Sequence, residues 1–196
     1  MPVPDSARDA AIEIARKLGL KYSEALVKNR YIGRTFIMPA DKERKSSVRQ
    51  KLNPIASEIK GKKVLLVDDS IVRGNTSKAI VEMLREAGAK KVYFASYSPP
   101  LRHPCVYGID MQTKTEFVAQ DADEAAVARK IGADKVIYQS LADLKKAVQL
   151  ENPKIKNFCA ACFDGIYPTG DITPDLLADI EADRKTAHDG QLELPV

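Results

Sequence analysis

The chain has 196 residues, 44% of them apolar, no tryptophan and a formal net charge of +4. That length fits a single domain with a sizeable core, and so small a charge gives no reason to expect a nucleic-acid partner. No apolar run reaches the roughly 18 residues of a membrane span and no signal peptide opens the chain, so no membrane partner is expected.

In chain order, the "MPVPDS" opening leads into a helical pattern in which Ala7, Ala10, Ala11, Ile14, Ala15 and Leu18 share one face. Gly19 suits its C-terminal stop, and Asp5 or Ser6 is placed to cap its first turn. Residues 28–54 show no sustained period and are rich in lysine and arginine; they read as a long loop with a short basic helix. "VLLVD", from Val64, is a continuous apolar run of the kind found in central parallel strands. A helix is expected from about Asn75 to Ala87 with Gly88 as its stop, then a strand at "KKVYFAS", a helix at "EAAVARKIG" and a strand at "KVIYQS". Ser140 and Asp143 form a capping box for a further helix. The alternation predicts an α/β fold, an open parallel sheet with flanking helices. The expected division is 1–150 for this domain and 151–196 for a cysteine-containing segment, peripheral helix and tail.

The chemistry concentrates in "VLLVDDSIVRGNTS". Ligands of parallel sheets bind at the carboxyl ends of the strands, where Asp68 and Asp69 fall. Ser70 follows, and Arg73-Gly74-Asn75-Thr76-Ser77 leads straight into a helix N-terminus. Free amides, the helix dipole and the Thr76 and Ser77 hydroxyls suit a monophosphate, and Gly74 lets the backbone approach it. The turn is not a Walker A loop, so a triphosphate fits poorly. Receiver domains also carry an acid doublet, but on the first strand; alternatively, the acids merely cap the turn.

The string resembles the phosphoribosyl pyrophosphate (PRPP) signature of type I phosphoribosyltransferases. Together with "VPDS", "LVKNRYIGRTFI", "KLNP", "MLREAGAKKVYF", "SPPLRHPCVYGID" and "CAACFDGIYP", in that order, residues 2–169 are similar to the C-terminal half of the glutamine phosphoribosylpyrophosphate amidotransferases. The resemblance implies a type I phosphoribosyltransferase fold in which ammonia derived from glutamine attacks C1 of PRPP, giving phosphoribosylamine and pyrophosphate in the first step of purine synthesis. It implies that Asp68 and Asp69 meet the ribose hydroxyls and, with Ser6, position Mg²⁺. Ser70 would belong to the same PRPP site, and the residues from Arg73 to Ser77 would hold the 5′-phosphate. Lys28, Arg30, Tyr31 and Arg34 would contribute to catalysis from a closing loop. Purine nucleotides would inhibit, and the full-length form would be a homo-oligomer.

Cys105, Cys159 and Cys162 are an odd number of cysteines in a chain without a signal, which argues against a disulfide framework and for a cytoplasmic protein. Cys159 and Cys162 have metal-ligand spacing, although buried structural thiols account for the pattern as well. By resemblance the three match ligands of a [4Fe–4S] cluster, whose fourth thiolate would lie upstream. Family members begin with a glutaminase domain opened by a catalytic cysteine. Here residue 2 is proline, so the chain reads as N-terminally truncated and without glutaminase activity of its own. A nucleotide-sensing regulator on the same fold and an inactive remnant are the alternative readings.

Overall fold

The computed structural model describes residues 1–31, 48–109 and 114–190. Its centre is a three-stranded parallel sheet of β3 (Lys63–Asp68), β4 (Lys91–Ser96) and β5 (Lys135–Tyr138), in that spatial order. Leu66 stands opposite Phe94, and Phe94 opposite Val136. The crossovers are α3 (Asn75–Glu86) and α4 (Glu124–Ile131). Period-two alternation sends Val64, Leu66, Val92, Phe94 and Val136 into one core with Ile80, Leu84, Val127 and Ile131. The opposite face of β3, with Val67 fully buried, receives Ala7 and Ala11. The continuous apolar run Val64–Val67 of β3 thus answers to helices on both faces.

The first helix, α1 (Arg8–Leu18), ends where expected: Gly19, at φ 62°, sends its N–H back to Ala15 and Arg16. Its start differs from expectation. The residue before it is Ala7, and neither Asp5 nor Ser6 caps the helix, because Asp5 pairs with Lys28 and Ser6 with Asp69. Leu18, predicted on the buried face, is 61% exposed at the helix end. The chain start extends the sheet beyond β3: the Val3 N–H donates to the Val67 carbonyl at 2.8 Å and the Val67 N–H to the Met1 carbonyl at 2.9 Å.

The segment read as a long loop is flanked by an antiparallel pair, β1 (Leu26–Lys28) and β2 (Leu52–Pro54), which its mixed composition had hidden. Residues 48–51 form the short helix expected there, and residues 32–47 lie outside the described residues. Arg49 reaches both carboxylate oxygens of Glu86 on α3, at 2.6 and 2.8 Å. A short α2 (Ala56–Ile59) leads back to β3.

Helix α5 (Leu141–Glu151) is capped by Ser140, which accepts the Asp143 N–H at 3.1 Å, as the capping box required. No residue of α5 is buried. After it come α6 (Ala161–Asp164) and α7 (Pro174–Gly190). The stretch around α6 is stitched to the loop after β4: the Arg102 and His103 N–H groups both donate to the Cys162 carbonyl, and the Tyr167 hydroxyl donates to the Pro104 carbonyl at 2.8 Å. No helix among the described residues is long and apolar enough to cross a membrane.

Phe94 is fully buried at the middle of the central strand. Phe94→Ala is expected to destabilise the fold by about 3–5 kcal/mol, through lost transfer energy and an unfilled cavity. A urea midpoint lowered at unchanged slope checks this.

Candidate functional site

β3 delivers Asp68 and Asp69 to the carboxyl edge of the sheet, and β4 holds them there. The Tyr97 N–H donates to the Asp68 carbonyl at 3.1 Å and the Ser98 N–H to the Asp69 carbonyl at 3.0 Å. Asp68 is 8% exposed and accepts the Asp69 N–H at 2.9 Å. Burial, reinforced by the neighbouring Asp69 charge, pushes its carboxyl from an ordinary 3.8 up to about 7. The adjacent amide opposes this only in part. Asp69 is the better solvated partner. It accepts the Ser6 hydroxyl at 2.7 Å and the Ser70 hydroxyl at 3.0 Å. The structure therefore brings together Ser6 and the contiguous Asp68, Asp69 and Ser70, two places in the predicted set.

Five residues on, Gly74 adopts φ 82° immediately before α3. A Cβ there would stand 3.2 Å from the side chains of both Ile131 and Val118, so the turn is packed as well as left-handed. The Val118 N–H braces it through the Val72 carbonyl at 2.9 Å. No side chain caps the helix at this residue. Asn75 and Thr76 are exposed at its first turn, whereas Ser77 is buried. Arg73 pairs with Glu116 at 2.6 Å, a partner that nothing in the sequence pattern announced.

Of the four residues assigned to the closing loop, Lys28 and Arg30 gather near the site. The Lys28 ammonium donates to Asp5 at 2.8 Å, and the Arg30 charge acts on the same carboxylate. Tyr31 is fully exposed, and Arg34 lies outside the described residues. Two residues near the site were not singled out from sequence. Asp5 lay inside the quoted "PDS" turn and passed for a helix cap. Tyr97, whose hydroxyl reaches the Ser6 carbonyl at 3.3 Å, follows β4 at the same sheet edge as the acids, which was signal enough to find it.

The three cysteines share one neighbourhood. Cys105 is buried, Cys162 half-buried and Cys159 exposed. Burial pushes the Cys162 thiol up, and the charges of Cys105 and Cys159 add to this. Among the described residues no group of three or more His, Cys, Asp or Glu stands close enough to hold a metal ion.

A parallel sheet with an acid pair at one strand end and a glycine turn into a helix start defines a type I phosphoribosyltransferase-like α/β domain. The family model for the phosphoribosyl transferase domain matches residues 1–98, half of the chain, and the chain belongs to that family. It is 57% identical over 184 residues to an amidophosphoribosyltransferase of Pasteurella multocida, covering 94% of this chain and 36% of that protein. It is 51% identical over 186 residues to the Saccharomyces cerevisiae amidophosphoribosyltransferase, covering 95% and 36%. The chain therefore spans about a third of the length of these relatives. Among solved structures, it superposes with TM-score 0.73 at 43% identity on the B. subtilis glutamine PRPP amidotransferase complexed with ADP and GMP, covering 90% of this chain and 40% of that one. The structure of the allosteric regulatory enzyme of purine biosynthesis gives TM-score 0.76 at 43% identity, over 92% and 39%.

The raised carboxyl generates a signed pH dependence. Between 3.8 and about 7, folded Asp68 keeps a proton that the unfolded chain has lost, so ligand-free stability falls as pH rises through that window. The full effect is about 4 kcal/mol at most. Asp68→Asn is expected to remove this slope and to raise the melting temperature at pH 8. Parallel thermal melts from pH 5 to 8 check it.

Proposed function

We propose that this chain forms the PRPP site of an amidophosphoribosyltransferase, in which ammonia displaces pyrophosphate from C1. The observation that carries the reading is the Ser6–Asp69–Asp68 cluster at the end of β3, five residues from the Gly74 turn. A ribose 5-phosphate laid between them places its hydroxyls on the acids and its phosphate on the free amides of α3.

Asp69, solvated and twice hydrogen-bonded, is the acceptor for a ribose hydroxyl. Asp68 is poised near neutrality, so hydroxyls or a cation arriving beside it draw it into its charged form and release a proton. At C1, positive charge develops on the ribose while negative charge grows on the departing pyrophosphate. Lys28 and Arg30 meet that leaving group from the β1 side. The oxygen donors of Ser6, Asp68 and Asp69 suit a hard cation, and Mg²⁺ bound there would polarise the pyrophosphate as a Lewis acid. Glutamine as ammonia source, regulation by purine nucleotides, oligomeric assembly and a cytoplasmic setting belong to the same proposal. A four-thiolate cluster does not fit this chain's own residues, which offer three cysteines and no group at ligand spacing among those described.

The test is calorimetric titration of Mg–PRPP into the purified chain. Asp69→Asn is expected to weaken binding about tenfold or more, as loss of a charged hydrogen-bond acceptor predicts. Equal affinity in wild type and variant would reduce the acids to turn caps. For the cysteines, anaerobic incubation with iron and sulfide is expected to leave the chain colourless. A stable brown product with visible charge-transfer absorption would show that three thiols suffice.

A further inference from the structure

The cations beside the acid pair already have an anion of their own. Asp5 accepts the Lys28 ammonium at 2.8 Å through one carboxylate oxygen, and the Arg8 guanidinium lies 3.2 Å from the other. The Arg30 charge acts on the same carboxylate. Three positive side chains thus converge on one carboxylate. The next residue, Ser6, is the one whose hydroxyl touches Asp69.

These contacts differ in what else holds them. Arg8 has a second anchor in Glu24, at 3.1 Å. Lys28 ends β1, its position fixed by the Asn29 N–H donating to the Lys51 carbonyl at 2.7 Å, while its side chain is 42% exposed. Asp5 is equally exposed. An ion pair so open to water is held weakly, and a multiply charged phosphate outcompetes a single carboxylate for the ammonium.

We propose that Asp5 is a resident anion that occupies Lys28 in the ligand-free protein, yields it to the pyrophosphate end of the substrate and takes it back when pyrophosphate leaves. On this account Asp5 sets the affinity for the leaving group: its charge opposes binding, and the exchange keeps the departing pyrophosphate from lingering. The inference rests on the PRPP reading of the site.

The experiment uses inorganic pyrophosphate with Mg²⁺ as the probe, titrated calorimetrically at low salt into wild type, Asp5→Asn, Lys28→Met and the double variant. Asp5→Asn is expected to bind pyrophosphate roughly two- to fivefold tighter, the range an exposed ion pair supplies. The gain is expected to vanish in the Lys28→Met background, since the cycle isolates the pair. Unchanged or weaker binding by Asp5→Asn, or a gain that persists without Lys28, overturns the inference while wild-type binding keeps the PRPP reading intact. A wild type that binds neither pyrophosphate nor PRPP overturns both.

Discussion

A carboxylate at the end of a buried strand is the constraint from which the rest of the site follows. Asp68 cannot move toward water, because β4 receives its backbone on one side through the Tyr97 amide. On the other side Val67 is locked by Met1 and Val3. With 8% of its surface exposed and Asp69 next in the chain, full ionisation is costly, and the group settles with its titration near neutrality. Such strain is stable only when the surrounding sheet over-determines the position. Phe94, Leu66 and Val136 do so from the core side.

Among the described residues, no ion pair joins a cation to Asp68 or Asp69. Asp69 accepts hydroxyls, those of Ser6 and Ser70, while the basic groups are held one step away on Asp5, Glu24 and Glu116. Hydroxyl partners leave the carboxylate its charge and exchange readily for the hydroxyls of a sugar. Direct lysine or arginine partners would instead have closed the site with an internal salt bridge. Under the proposed reading the acids would meet the ribose and the cations the phosphates.

Much of this was legible in the sequence where one local rule dominated. The alternating strands and helices, the Gly19 stop, the Ser140–Asp143 box and the acid pair at the strand end each follow from periodicity or capping, and each stands where expected. Failures came where local and long-range demands competed. Asp5 and Ser6 are good cap residues by type, but Lys28 and Asp69, 23 and 63 residues away, claim their side chains. β1 and β2 escaped notice because three-residue strands on a half-exposed ribbon carry too few positions for a period. The Arg73–Glu116 pair joins residues whose proximity depends on the whole α3–α4 crossover.

The cysteine segment shows the same competition resolved the other way. A metal shared by Cys105 and the Cys159–Cys162 pair would tie residues 159–169 to the sheet, and the backbone already does so. The Cys162 carbonyl accepts two amides from the loop after β4, the Tyr107 and Tyr167 rings meet edge to face at 6.1 Å, and the Tyr107 hydroxyl bonds the Thr169 hydroxyl at 2.9 Å. His103 packs so closely on Gly165 that a Cβ there would lie 3.0 Å from its ring. A segment held by amides, tyrosines and a glycine contact does not depend on its thiols for attachment. The nearness of Cys105, Cys159 and Cys162 follows from how that segment docks, and the buried Cys105 Sγ takes part by accepting the Tyr107 N–H at 3.4 Å.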